Sequence, residues 1–193
     1  MFGDRKEGEN PIVMPGRRNE KENQLKIRDA RSEDRDAARK ITLSAFEQYA
    51  AVMPPPRWEG YRENILATLT EIAPAQHIVA EKEGAIIGSV LLYPPGTAFS
   101  TPDEGPITCP EVRLLAVAPE AQGQGIGTVL MKECIRRVHR LGASCLNLHT
   151  TDMMKVAMRM YERMGFVRAP ELDFHPDPSV TVKAYRLELG SRW

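Results

Sequence analysis

The chain has 193 residues, 42% of them hydrophobic, which is enough for one domain with a sizeable core and short for two. Lys plus Arg equals Asp plus Glu at 26 each, so the net charge points neither to nucleic acid nor to an anionic membrane surface as partner. No apolar run approaches the ~18 residues that cross a bilayer, and the N-terminus is charged where a secretory signal is apolar, so a cytoplasmic protein is expected. Cys109, Cys134 and Cys145 are odd in number and lack the close spacing of zinc ligands or a redox dithiol; three free, buried or half-buried thiols are expected.

Residues 1–22 are polar and charged apart from Ile12-Val13-Met14, which predicts a flexible tail ahead of a single domain over residues 23–193. Leu25 and Ile27 alternate as in a strand. Ser32 then offers a helix cap, with Glu33 and Asp34 in the first turn and Ala38, Ile41, Ala45 and Tyr49 on the apolar face. Pro54, Pro55 and Pro56 end that helix and stiffen a connection. Trp58, Tyr61, Ile65, Leu69 and Ile72 recur at helical spacing beyond it. Two strands over 78–81 and 85–93 flank Lys82-Glu83-Gly84, a hairpin turn with glycine available for positive φ. The stretch Pro94 to Pro110 has no sustained periodicity and reads as a long loop.

Glu111 to Ala118 reads as a strand, Gly125 to Leu141 as a helix and Ser144 to Thr150 as a strand, which together predict a βαβ unit with parallel strands. Ile126, Val129, Leu130, Cys134, Val138 and Leu141 form the helix stripe, and Gly142 stops it. A further helix carries Met153, Val156, Ala157, Met160 and Met164 on one face, with Thr151 or Asp152 as cap and Gly165 at its end. Strands over 166–168 and 180–189 complete the chain.

Between the first strand of that unit and its helix lies Gln122-Gly123-Gln124-Gly125-Ile126-Gly127. Backbone N–H groups at a helix start lack intrahelical partners, and the dipole places partial positive charge there. Glycines at 123, 125 and 127 remove the Cβ atoms that would obstruct a pyrophosphate, so the turn is either a phosphate cradle or a device for close strand–helix packing. A dinucleotide fingerprint is disfavoured, because the glycines fall at first, third and fifth positions and the next strand ends Asn147-Leu148-His149-Thr150 without a carboxylate. A nucleotide P-loop fails because Gly127 is followed by Thr128 and Val129 rather than by Lys and a hydroxyl.

The segment Glu111 to Gly127 resembles the core motif of the GNAT superfamily of N-acetyltransferases, with Gln122, Gly125 and Gly127 in the signature places. Tyr161-Glu162-Arg163-Met164-Gly165-Phe166 is similar to a second element of that family. The resemblance covers about residues 24–189. It implies an α/β GNAT fold: a mixed, mostly antiparallel sheet with a splayed parallel strand pair, flanked by helices. It further implies acetyl-CoA as cosubstrate, without a metal, and direct acetyl transfer to a primary amine in a ternary complex.

Residue by residue, the resemblance assigns the pantetheine arm to free backbone groups of Leu115, Ala116 and Val117. It assigns the pyrophosphate to the amides of Gln122, Gly123, Gln124, Gly125, Ile126, Gly127 and Thr128. A backbone N–H near Leu115 would polarise the thioester carbonyl. Glu111 is either the base that takes the amine's proton or an exposed strand-end carboxylate. Tyr161 is either the acid that protonates the departing thiolate or one more aromatic of its helix stripe. Seven residues before this tyrosine the family frequently carries a cofactor-binding Asn, and Met154 stands there instead.

The four histidines have no metal-ligand spacing, and only His149 falls near the presumed site, where a buried or capping role is expected. Trp58, Tyr61, Phe174 and His175 fall where relatives shape an acceptor pocket. Core packing is the plainer reading for the two aromatics at 58 and 61. Two functions remain: an acetyltransferase acting on a small-molecule or peptide amine, and an acyl-CoA-binding regulatory module of the same fold without turnover. Sheet-edge or C-terminal strand pairing offers a route to a homodimer.

Overall fold

A computed structural model describes residues 24–97 and 109–190. The expected tail over 1–22 and most of the expected 94–110 loop lie outside the described residues. In chain order the elements are β1 (Lys26–Asp29), α1 (Arg35–Glu47), α2 (Pro55–Thr70), β2 (Gln76–Lys82), β3 (Ala85–Tyr93), β4 (Glu111–Val117), α3 (Ile126–Arg140), β5 (Cys145–Thr150), α4 (Lys155–Arg163), β6 (Val167–Arg168), β7 (Phe174–Asp177) and β8 (Val180–Glu188). One sheet runs β1-β2-β3-β4-β5-β8-β6, with β7 pairing to β8 off that path. Only β4 and β5 run parallel; every other neighbour is antiparallel. The mixed, mostly antiparallel sheet with one parallel pair is therefore present.

The β2–β3 hairpin turns on Glu83 at φ 54° and Gly84 at φ 78°, the two successive left-handed residues that a tight hairpin matched to strand twist requires. In β4, Leu114 takes φ 49°, and the pairing with β3 steps from Leu91↔Arg113 to Ser89↔Ala116, so two β4 residues stand opposite Val90 alone. This is a β-bulge. A left-handed leucine costs about 1–2 kcal/mol, so its surroundings must hold it there. They do: Leu114 packs with Ala45, Phe46, Ile65 and Ala116 in the cluster under α1 and α2. Val112, Leu115 and Val117 belong to the other core, with Leu130, Met131, Cys134 and Val138 of α3. Helices thus cover both faces of β4.

Several local expectations change. Ser32 does not cap α1; a 3-10 turn over Ser32–Asp34 intervenes, and the Asp34 carboxylate accepts the Arg31 N–H (2.7 Å) while Arg28 holds it in place (2.5 Å). Pro55 and Pro56 open α2 rather than standing outside it, since proline at a helix start forfeits no hydrogen bond. α4 begins at Lys155 with Met154 as its N-cap; Asp152 pairs with Lys183, and the Thr151 hydroxyl is buried without a partner. Val156 is 83% exposed, so it leaves the apolar face expected of that helix. β7 carries no apolar alternation and escapes sequence reading.

The cysteine expectation is overturned. Cys109 and Cys145 form a disulfide, with Cα atoms 5.5 Å apart, and only Cys134 is free, buried in the α3 core. Their separation of 36 residues gave no local signal, because the two meet only when β4 and β5 pair.

Candidate active site

β4 and β5 pair only at Glu111↔Asn147 and Val112↔Leu148. The bulge at Leu114 follows at once, and beyond it β4 stays with β3 through Ser89↔Ala116 and Gly88↔Val117. The two parallel strands therefore part from Arg113 onward, leaving the β5-facing backbone groups of Leu114 to Val117 without a strand partner. Leu115, Ala116 and Val117, assigned to the pantetheine arm, form one wall of this gap. His149, Thr150 and Thr151 stand on the other, and the Thr150 hydroxyl is buried and unpartnered.

Where β4 leads into α3, Gly123 and Gly125 take φ 75° and 81°, and a Cβ built on either would meet nothing within 4 Å. Gly125 is the N-cap, and its carbonyl accepts the Val129 N–H at 3.1 Å. The N–H groups of Ile126, Gly127 and Thr128 thus lie in the first turn, without intrahelical acceptors. Gln122 donates through its side-chain amide to the Val117 carbonyl (3.3 Å), and Gln124 to the Glu120 carbonyl (3.2 Å), which pins the turn from both sides. Gly127 differs from the other two: a Cβ there would meet Met160 Sδ at 3.5 Å, an ordinary van der Waals contact.

Tyr161 projects from α4 into the core at 6% exposure, its ring tilted on Phe166 at 5.9 Å. Burial pushes its phenol well above the usual tyrosine range, so it stays protonated and able to donate. Met154 at the head of α4 packs against the α1–α2 cluster of Ala45, Phe46, Ile65 and Ala116, which accounts for a thioether where relatives carry an amide. Trp58 and Tyr61 meet edge-to-face at 6.3 Å, and Tyr61 meets Phe46 at 5.9 Å in the same cluster.

Glu111 is not the exposed carboxylate of the plainer expectation. It is 2% exposed. Arg113 Nε donates to its Oε1 at 2.7 Å, and His149 Nδ1 lies 3.2 Å from the same oxygen. Burial alone would raise its pKa, but the His149 and Arg113 contacts outweigh that and hold the carboxyl below its ordinary range. His149 also meets the Leu172 carbonyl (3.0 Å) and the edge of Phe174 (5.2 Å). Sequence spacing missed this cluster because His149 joins Glu111 only across the parallel pair. One signal was present: strand alternation sets Glu111 and Arg113 on the same face.

The acetyltransferase (GNAT) family model matches residues 37–166, about two thirds of the chain. The chain belongs to the GNAT family. Among its relatives, an uncharacterized N-acetyltransferase of Schizosaccharomyces pombe is 32% identical over 113 residues, 58% of this chain and 63% of that protein. The S-(2-succino)cysteine N-acetyltransferase of Bacillus subtilis is 29% identical over 144 residues, 72% of this chain and 84% of that one. The chain spans less than half the length of the mycothiol acetyltransferases it also matches. A GNAT acetyltransferase from Brucella melitensis, crystallised with acetyl-CoA, shares the fold with a TM-score of 0.58 at 23% identity, covering 87% of this chain and 90% of that one.

The residues of this GNAT chain fit coenzyme A on their own geometry. Two left-handed glycines leave open space in front of the α3 amides, and the parted strands leave backbone groups for an extended arm. From Thr128 a groove of about 760 Å³ continues between α3 and α4, floored by Ile135, Met160 and Met164 and rimmed by Lys132, Arg140 and Arg163. An aromatic base carrying phosphates suits that mix of apolar and basic side chains. Among the described residues no group of three or more His, Cys, Asp or Glu side chains is placed to hold a metal ion, and no helix is long and apolar enough to cross a membrane.

Proposed function

We propose that this GNAT protein is an acetyl-CoA-dependent N-acetyltransferase acting on a small-molecule or peptide amine by direct attack in a ternary complex. The observation that carries it is the parting of β4 from β5 after Val112↔Leu148, with the open glycine turn at the end of the same strand. When bound, acetyl-CoA supplies an acyl group already activated as a thioester. The amides of Gly123 to Thr128 hold its pyrophosphate, and the gap-facing backbone of Leu115 to Val117 aligns its arm. Glu111, ionised and fixed by Arg113 and His149, is the hydrogen-bond acceptor that orients the incoming amine; its carboxyl, held below the ordinary range, is a weak base. Tyr161 gives its phenolic proton to the departing sulfur. No cysteine carries the acetyl group, since Cys109 and Cys145 are joined and burial pushes the Cys134 thiol up to about 12.

Calorimetric titration of acetyl-CoA and CoA into the parent and Gly125→Trp tests this reading. Binding in the parent that the tryptophan abolishes supports it and justifies an amine screen beginning with S-(2-succino)cysteine. A folded parent that binds neither compound defeats it. One observation favours the second reading, a CoA-binding module without turnover: the residue at the head of α4 is Met154, committed to an apolar cluster. Binding without turnover of any amine in the screen supports that module.

A further inference from the structure

The sheet consists of two halves, β1-β2-β3-β4 and β5-β8-β6, joined through the short β4/β5 pairing. Its rungs are Glu111↔Asn147 and Val112↔Leu148, with the Asn147 N–H donating to the Pro110 carbonyl at 2.8 Å. Cys109 and Cys145 keep the same offset of 36 residues two residues below the Glu111↔Asn147 rung, at the end opposite the gap. The disulfide is thus the covalent bond across the vertex of the cleft, two residues from Glu111 on one strand and two from Asn147 on the other. The vertex sets where the two strands begin to part. Joined, the vertex stays shut; as two thiols, it is held by a few hydrogen bonds between edge-like partners.

The two cysteines differ in exposure. Cys109 is 3% exposed, whereas Cys145 is half-buried beside the exposed Ser144, whose hydroxyl lies 3.8 Å from its sulfur. Cys134 lies in the α3 core and is no resolving partner.

We propose that Cys109–Cys145 is a thiol–disulfide exchange site for low-molecular-weight thiols, and that its state sets the affinity of the cleft for coenzyme A. This rests on the acetyl-CoA reading of the same cleft. A thiolate attacks Cys145 Sγ and bonds to it; the Cys109–Cys145 bond breaks, and its electron pair leaves on Cys109 Sγ, which takes a proton. A second thiolate attacks the small-molecule sulfur of the mixed disulfide and frees Cys145. In sum, two thiols become one small disulfide and the protein gains two thiols; the reverse uses that small disulfide as oxidant. The joined state fixes the β4 wall and binds coenzyme A more tightly, while the reduced state lets Glu111 and its wall drift.

The test equilibrates the full chain with glutathione or with glutathione disulfide, then reads two signals. Alkylation under denaturing conditions, followed by intact mass, is expected to mark one cysteine in the oxidised protein and all three in the reduced one. Calorimetry with CoA is expected to give a Kd at least about threefold lower for the oxidised form. The Cys109→Ser/Cys145→Ser variant should stay at the reduced value under both treatments, and Cys134→Ala should respond as the parent does; should the double variant fail to fold, the reduced parent supplies the comparison. Three alkylated cysteines after glutathione disulfide overturn the exchange site, and equal Kd values in both forms overturn the coupling. Failure of CoA to bind either form overturns the acetyl-CoA reading and the coupling with it, while the thiol count still decides the exchange site.

Discussion

His149 Nδ1 lies 3.2 Å from Glu111 Oε1, and its Nε2 lies 3.0 Å from the Leu172 carbonyl, so both ring nitrogens face acceptors. An imidazolium satisfies both with N–H donors; a neutral ring satisfies one. Burial works against the charged ring, but the Glu111 bond and charge, aided by Leu172, outweigh it and raise the His149 pKa above its usual range. A base with a raised folded-state pKa contributes stability that is complete below the unfolded value near ~6.5 and fades as pH rises through the folded one. Thermal melts of the parent should therefore fall on the alkaline side of that value, and His149→Gln should lack the transition. Arg113 and Asp173 also carry charge beside this cluster, so Asp173→Asn, which removes a negative charge coupled to His149, should move the transition to lower pH without abolishing it. A parent whose melting temperature is flat over the window contradicts the charged pair.

Tyr161→Phe keeps the ring contact with Phe166 and removes only the phenolic proton. With an accepted amine, kcat should drop by about 10²–10⁴ while CoA affinity and melting temperature stay close to the parent's. Equal losses in binding and stability would instead mark Tyr161 as a packing residue.

Met154→Asn places the residue frequent in relatives into the apolar cluster beneath α1 and α2. An amide there meets the apolar side chains Ala45, Phe46, Ile65 and Ala116 of that cluster, so a stability loss of about 1–3 kcal/mol is expected by urea titration. Unchanged stability would show that the head of α4 can turn out of the cluster.

Gly88 lies on β3 beneath α3, and a Cβ there would stand 3.0 Å from Leu130 Cδ1, 3.1 Å from Ile126 Cγ2 and 3.3 Å from the Ala116 carbonyl. Gly88→Ala should destabilise by about 1–3 kcal/mol through overpacking. It should also loosen CoA binding, because Ile126 opens the helix whose first turn forms the cradle. Retained stability would mean that α3 yields, and a weakened cradle should then appear without an unfolding penalty.

What could be read before folding was what is local. Helical spacing of Leu130, Cys134 and Val138 found α3, and the glycines before it marked their turn, since those signals repeat within a few residues. The Tyr161-to-Phe166 run marked α4's end in the same way. The Cys109–Cys145 bond, the Arg113–Glu111–His149 cluster and the packing of Met154 all form between elements distant in sequence. Caps were misplaced for a related reason: Asp34, held by Arg28 and the Arg31 N–H, takes the helix start expected of Ser32, and Asp152 is drawn away from the head of α4 to Lys183.

The left-handed Leu114 puts the two ends of β4 out of phase. Val112 faces the α3 core, yet Leu114 and Ala116, which share its parity, face α1 and α2. A single-residue deletion between Arg113 and Ala116 would act as a frameshift in space. It would leave the strand's length nearly unchanged but exchange its faces on one side of the bulge, turning Glu111 and Arg113 toward the apolar packing of α3 or Leu115 and Val117 away from it. Loops of this molecule can gain or lose a residue at little expense; this one strand position has no such freedom.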